Sequence, residues 1–495
     1  MARDVPTSRR AVLLAIFIAF GFLFGYDMGV ISGCLIMPDF IRRFGQEGTD
    51  GQYYLSSSRQ SIIVSLLSAG GAIAQAFTSD RLGRRGSILF WSAVFTIGVA
   101  IQTGTTYSLA QLVIGRYIAG LGVGSLSAIV PLYIGETAPK AIRGTILVIY
   151  QVQIISGIFL SYLFELGSHT INNSASWRLP IGLQMVWGII LLSGMFFLPE
   201  SPRHLLGTGR GDEARKVVAE LNGVPEDDLL VIETVEELDF AIRAENEGGK
   251  ATWLECFSTR NALWCRTING MMLQFIQQLN GQKFYYYYGD TFFQSAGAGL
   301  SPYIIQTVLG AVSVVGTLPA LYFIETWGRR KSLLLGASTQ AVCALIVAVV
   351  GHATLAPTGT PTSALTARNR AGGDVVITFA VFQVFIFGTT WGPTPWVYLG
   401  DASNWFWNFM LSFFSPRIVD QIGPLIMLVI FGMLVFGYIY VYFAIPETKG
   451  LTLEEVDELY RSGIAPWRSV GWKPSEKHYR HEEKEKRVSD SVEEV

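Results

Sequence analysis

Twelve apolar runs, each close to the length that crosses a bilayer as a helix, shape this 495-residue sequence. A spanning helix needs roughly 20 apolar residues. The runs lie near 11–33, 60–78, 88–106, 109–131, 145–166 and 178–198, then near 263–289, 301–324, 332–351, 374–399, 402–421 and 422–445. In hydrocarbon every backbone polar group must be satisfied within the chain, so runs of this length read as helices. The expected fold class is therefore an all-α membrane protein of two six-helix bundles. The expected division is 1–198 for the first bundle, 199–262 for a cytosolic helical linker, 263–445 for the second bundle and 446–495 for a cytosolic tail. Only 15% of residues are charged, against about 25% in soluble domains.

Several classes fall away at this point. A net charge of −2 gives no broad basic surface for nucleic acid. Cys34, Cys256, Cys265 and Cys343 are far apart, without metal spacing or a disulfide framework. No phosphate loop or nucleophile constellation suggests an enzyme; no catalytic residue, metal or cofactor is expected. The first apolar run exceeds the 7–15 residues of a signal-peptide core, so it reads as the first span rather than a leader.

Basic residues orient the spans. Arg81, Arg84 and Arg85 follow span two, Lys140 and Arg143 follow span four, and Arg329, Arg330 and Lys331 follow span eight. That side, with the linker and both termini, is expected to be cytosolic. Asn172-Asn173-Ser174 is then a glycosylation sequon on the outside, close to span six. The linker, with its alternating charge and helical spacing, reads as a solvated helix set.

The halves echo each other. Asp80-Arg81-Leu82-Gly83-Arg84-Arg85 is repeated as Glu325-Thr326-Trp327-Gly328-Arg329-Arg330, and Pro199-Glu200-Ser201-Pro202-Arg203 as Pro446-Glu447-Thr448-Lys449-Gly450. Paired six-span halves are the architecture of transporters that rock one bundle against the other. A third echo is incomplete. Tyr133-Ile134-Gly135-Glu136 continues through Pro139 to Arg143-Gly144, whereas Tyr398-Leu399-Gly400-Asp401 runs straight into Ala402-Ser403-Asn404. Span eleven accordingly looks short.

Together with Gly25-Tyr26-Asp27, Gly115-Arg116, Gly120, Gly122, Gly124, Pro131-x-Tyr133, Gln277-Gln278 with the tyrosine run, and Trp391-Gly392-Pro393-x-Pro395-Trp396, these motifs stand in an order that resembles the sugar porters of the major facilitator superfamily, in particular fungal hexose transporters. The resemblance covers about residues 10–460. It implies a plasma-membrane hexose carrier of the glucose-transporter type, working by alternating access with proton symport. Facilitated diffusion, a non-transporting sugar sensor and an inactive variant are the alternatives. The implied partners are a sugar, protons and the lipid bilayer, with the chain acting as a monomer.

The resemblance assigns Asp80, Arg84, Glu136, Arg143, Glu200, Arg203, Glu325, Arg329 and Glu447 to cytosolic networks that clasp the bundles together. Arginine's planar fork can grip carboxylates and helix-end carbonyls; as an alternative, such charges only set orientation. Glycines 120, 122 and 124 suit close helix packing. Asp27 and Arg116 lie within spans, where a charge costs at least about 2.5–3.5 kcal/mol. Mutual pairing would lower that cost, and an aspartate that loses its pair gains proton affinity. The resemblance makes them the proton-coupling residues; a static tie between spans one and four is the alternative. For the sugar it implies Gln151, Gln277, Gln278, Trp396 and Asn404 as polar or stacking contacts, with Tyr287, Tyr288 and Phe387 lining or capping the cavity.

Three departures stand out. After Gln277-Gln278 the family places Gly-x-Asn, but this chain has Gly281-Gln282-Lys283. Lys283 has donors and no acceptor; it could weaken sugar binding, bind an acidic substrate or snorkel. Ser313 stands where many relatives have a further asparagine. About fifteen residues are missing after Asp401, so either both adjoining spans are shortened at their ends or one is displaced. Loss of this segment by a faulty gene model is the favoured explanation; a natural variant of this length is expected to fold or transport poorly.

Overall fold

The computed structural model describes residues 7–48, 51–74, 79–137, 143–247, 263–296, 301–355, 366–395, 401–449, 456, 458–460 and 462–472. The helices are α1 (Thr7–Cys34), α2 (Pro38–Phe44), α3 (Ser57–Ala74), α4 (Ser79–Thr103), α5 (Leu109–Thr137), α6 (Arg143–Ser168) and α7 (Ala175–Met195) in the first half. The linker forms α8 (Pro202–Gly207), α9 (Gly211–Asn222) and α10 (Leu229–Glu247). The second half comprises α11 (Leu263–Gln278), α12 (Gln282–Ala296), α13 (Pro302–Thr317), α14 (Ala320–Trp327), α15 (Arg329–Thr354), α16 (Ala367–Thr389), α17 (Asp401–Ile422) and α18 (Ile426–Ala444). A two-residue antiparallel pair, β1 (Gln46–Glu47) with β2 (Tyr53–Tyr54), joins α2 to α3.

The described helices group into twelve passes, six on each side of the linker. Two passes that read as continuous in the sequence are broken. Pass seven consists of α11 and α12, and Asn280 Oδ1 accepts the amide of Gln282 at 3.1 Å to cap the second piece. Pass eight consists of α13 and α14, divided at Leu318-Pro319, where proline removes a helix donor. By length and hydropathy alone only six described stretches qualify as spans. The broken pieces are too short for that test, α1, α3 and α6 do not meet it over their described residues, and Asn404–Ala444 counts as one stretch although it holds both α17 and α18.

Within the first half α1 packs on α6 and α7, and α5 on α3 and α4. Gly120, Gly122 and Gly124 allow the second set of contacts: a Cβ at each would collide with the backbone of Leu67, Phe95 and Gly71, respectively. In the second half α15 packs on α16 and α18. The halves meet along α3 against α17 and α6 against α13. The linker helices hold small apolar clusters of their own, Leu205 with Ala214 and Val217, and Val218 with Ala219 and Val231.

Candidate functional site: a polar void between the halves

Positive-φ glycines build the two arginine motifs. Gly83 (φ 74°, ψ 175°) breaks α4 and Gly328 (φ 88°, ψ 164°) starts α15. Each break exposes helix-start amides, and a glutamate from the end of the same half accepts them. Glu200 Oε1 takes the amides of Arg84 at 2.9 Å, Arg85 at 3.1 Å and Ser201 at 2.9 Å. Glu447 takes those of Arg329 at 3.0 Å, Arg330 at 3.2 Å and Thr448 at 3.1 Å. The negative charge also suits the positive end of the helix dipole. The following arginines reach the end of the neighbouring pass: Arg85 to the carbonyls of Met195 and Phe196, and Arg330 to that of Tyr442. The sequence repeat is thus a repeat of atomic contacts.

The symmetry fails at one place. Arg84 grips Glu136 in a two-pronged pair, Nε to Oε2 and Nη2 to Oε1, both at 3.1 Å. Its counterpart Arg329 donates to the carbonyl and hydroxyl of Thr448, and no described carboxylate oxygen receives its guanidinium. Among the described residues these contacts close within one half; they do not tie half to half. Arg203 sits half-buried in α8. The side chains of Asp80, Arg143 and Glu325 lie outside the described residues.

Contacts between the halves sit elsewhere. At the end opposite the arginines, Gln306 Nε2 donates to Ser32 Oγ at 3.2 Å, His169 stacks on Tyr303 at 4.3 Å, and Ser57 donates to Asp420. Deeper in, Trp405 Nε1 donates to Ser127 Oγ at 2.9 Å and its ring covers Gly71. The far end is therefore held closed.

Between the halves lies a small void lined by Phe24, Gln151 and the α6 isoleucines 154, 155 and 158 from the first half, and by Gln277, Gln278, Lys283, Tyr286, Phe387 and Asn404 from the second. It has space for about 20 Å³, close to one water-sized molecule, so a sugar could enter only after the halves separate. Several polar atoms here have no hydrogen-bond partner among the described residues: Gln151 Oε1, Gln277 Oε1, and both Oε1 and Nε2 of Gln278. Buried polar groups are seldom left unsatisfied without a functional reason. Gln277 Nε2 does have protein partners, the carbonyls of Trp391 and Gly392 at 3.0 Å each. Asn404 Nδ2 donates to Gln274 Oε1 at 2.8 Å.

The sequence expectations are met unevenly. Gln151, Gln277, Gln278, Lys283, Phe387 and Asn404 converge on the void. Trp396 lies outside the described residues. Tyr286, which the sequence reading passed over, faces the void, and Tyr287 and Tyr288 do not line it. Tyr288 instead donates to the carbonyl of Ser412 at 2.6 Å on α17. Tyr286 follows Lys283 by three residues and Tyr287 by four, so both share its face of α12, yet only Tyr286 reaches the void. Lys283 does not snorkel; its Nζ meets Met28 Sδ at 3.2 Å inside the void's wall. Ser313 is buried, takes the Tyr286 hydroxyl at 3.4 Å and donates to the carbonyl of Leu309.

The expected Asp27–Arg116 pair is not made. Both residues are fully buried, yet among the described residues neither the carboxylate oxygens nor the guanidinium nitrogens have a hydrogen-bond partner. Helices α1 and α5 do touch, although α1 rests chiefly on α6 and α7 and α5 on α3 and α4. Asn172 is exposed in the turn before α7, as a sequon requires.

The shortened segment can now be placed. Phe387 lines the void two residues before α16 ends, and Asn404 lines it three residues after α17 begins. From Asn404 to Asp420 the helix rises about 24 Å at 1.5 Å per residue, more than half a bilayer core. Pass eleven is not short as a helix: it has 22 residues. The deficit falls on the arginine-bearing ends of passes ten and eleven, and neither helix is displaced from the void.

Residues 12–460 match the profile of the family described as "Sugar (and other) transporter". The low-affinity glucose transporter HXT4 of Saccharomyces cerevisiae is 40% identical over 484 residues, covering 94% of this chain and 83% of that one. Hexose transporter 2 of Kluyveromyces lactis is 41% identical, covering 94% and 85%. Among solved structures, the proton:xylose symporter XylE bound to 6-bromo-6-deoxy-D-glucose superposes with a TM-score of 0.73 at 24% identity, covering 92% of this chain and 99% of that one. The latter likeness supports the fold, two six-helix bundles of the major facilitator type. With a family profile matched over nearly its whole length, this chain belongs to the sugar transporter family and is a multi-pass membrane protein, not an enzyme.

Proposed function

We propose that the chain carries a hexose across the plasma membrane by alternating access, coupled to protons through Asp27 and Arg116. The observation that carries this reading is the convergence of unsatisfied amides from both halves, Gln151 with Gln277 and Gln278, on one void. Such groups match sugar hydroxyls, and Tyr286 and Phe387 match the apolar faces of a sugar ring. One chain supplies the whole site, so a monomer suffices. The arginine motifs are assigned to the cytosolic face. The networks on Arg84 and Arg329 are assigned to stiffen each half as it rocks. Relatives named as glucose and hexose transporters support the substrate class.

The test is labelled-glucose uptake in cells lacking their own hexose carriers, with surface expression measured. Saturable uptake is expected. Asp27→Asn is expected to abolish accumulation against a gradient and to spare exchange, because a side chain that cannot ionise cannot tie a proton to the cycle. Accumulation surviving that change would remove the coupling assignment. A second reading, a poorly active variant, is favoured by Arg329, whose guanidinium meets no described carboxylate where Arg84 meets Glu136. A chain with a family-length segment inserted after Asp401 distinguishes the two: uptake by that chain alone would establish the second reading.

A further inference from the structure

We infer that the central site takes sugars that carry a carboxylate, hexuronates or hexonates, with Lys283 as the counter-charge. This rests on the void being the sugar site and deepens that reading. Lys283 stands at the start of α12 and lines the void. Its only hydrogen-bond acceptor among the described residues is the thioether of Met28, a weak one. No described carboxylate lies within the 4.0 Å of an ion pair. Asp27 is next to Met28 in sequence but about 100° round the helix, and its oxygens meet no donor. The void's wall alternates apolar side chains, Phe24, Ile154, Ile158 and Phe387, with the amides of Gln151, Gln277, Gln278 and Asn404, and Lys283 is its one charged residue among those that line it.

An ammonium held this way is costly, because among the described residues neither an oxygen acceptor nor an opposite charge meets its nitrogen. A neutral hexose would offer it only hydroxyl lone pairs. A carboxylate on the same ring would offer a charge-assisted bond, about twice as strong as a neutral one, and stronger again in a low-dielectric site. Meanwhile the free atoms of Gln151, Gln277 and Gln278 remain available for ring hydroxyls. The arrangement is therefore selective for a ligand that is both polyhydroxylated and anionic.

The experiment measures binding of D-glucuronate, its uncharged amide and D-glucose to the purified full chain in lipid nanodiscs at pH 7, by tryptophan fluorescence. The wild type is expected to bind glucuronate about tenfold or more tighter than glucuronamide. Lys283→Asn is expected to bring that ratio to about one and to improve glucose binding, while Lys283→Arg keeps the preference for the anion. Glucose binding with no preference for glucuronate over its amide would overturn the inference and leave the hexose reading standing. A folded chain that binds none of the three would overturn both. A preference for the anion that persists in Lys283→Asn would place the counter-charge elsewhere and overturn the role of Lys283.

Discussion

Gly83→Ala tests whether the arginine motif is built by its glycine. Gly83 sits at φ 74°, ψ 175°, a region where a side chain costs about 1–3 kcal/mol. A Cβ there would also collide with Glu200 Oε2, pushing away the carboxylate that accepts the Arg84, Arg85 and Ser201 amides. Loss of a helix cap costs about 0.5–2 kcal/mol. The combined loss is about 2–4 kcal/mol. For a first half unfolding as one unit, each kcal/mol lowers Tm by about 2–4 °C, so the expected fall is about 5–15 °C. The assay is the fraction of monodisperse protein surviving a heating series in detergent, at one fixed heating time because such losses are rate-controlled. Glu200→Ala alone loses the cap. Combined with Gly83→Ala it removes the collision and keeps the backbone cost, so the double mutant should be milder than the sum by about 1 kcal/mol. Additivity to within about 0.5 kcal/mol, or a Gly83→Ala Tm equal to wild type, would refute the shared-site argument.

Three further outcomes follow from the contacts. Ser57→Cys with Asp420→Cys, joined by oxidation, should hold the far end closed and stop uptake until reductant is added; full transport by chains shown to be cross-linked would disprove that the far end must open. Gln278→Ala should weaken sugar binding about tenfold without lowering Tm, because neither of its polar atoms has a described protein partner; Gln277→Ala should lower stability by about 1–3 kcal/mol, since its Nε2 holds Trp391 and Gly392. Equal Tm losses in the two variants would contradict this division. At the closed end, burial acts to raise the pKa of Asp39, but hydrogen bonds from Arg43 and Trp177 and the arginine charges outweigh it and hold it below the ordinary 3.8. A depressed carboxylate stabilises the fold above its unfolded pKa and loses that contribution as pH falls through the folded value. Wild type should therefore exceed Asp39→Asn by about 0.5–1 kcal/mol at pH 5, and the gap should shrink progressively as pH falls below 3.8; a gap that stays constant however far the pH is lowered would count against the ion pair.

The twelve passes and the paired motifs were legible because their causes are local. Hydrocarbon thickness sets the length of each run, and a glycine followed by two arginines, with a glutamate a fixed number of passes later, is a complete recipe for a capped helix start. Most of the void was legible too, through Gln151, Gln277, Gln278, Phe387 and Asn404. The failures concern which face of a helix meets the void and how helices pack. Four consecutive tyrosines, 285–288, present every face of α12, and which one meets the void depends on the break at residues 279–281. Phe24 went unremarked for the same reason. The Asp27–Arg116 contact failed because residue type reveals the need for a partner, whereas helix packing decides whether one is reached.

The asymmetry between the halves has one physical origin. In the first half, pass four runs past the void to Thr137 and carries Glu136 to Arg84. In the second half, pass ten ends as a helix at Thr389, beside Phe387, and pass eleven begins at Asp401, beside Asn404. The acid that echoes Glu136 in the sequence is Asp401, the first residue of α17. Arg329 is left with the carbonyl and hydroxyl of Thr448. A neutral acceptor gives roughly half the strength of a carboxylate and none of the two-pronged geometry that orients a guanidinium. Among the described residues the second half thus keeps its glutamate cap but shows no arginine–carboxylate pair like the one that fastens pass four to the motif in the first. A segment restored after Asp401 would lengthen both helix ends. Its effect should accordingly appear first in the stability of the second half, and in uptake only as far as uptake depends on that half moving as one body.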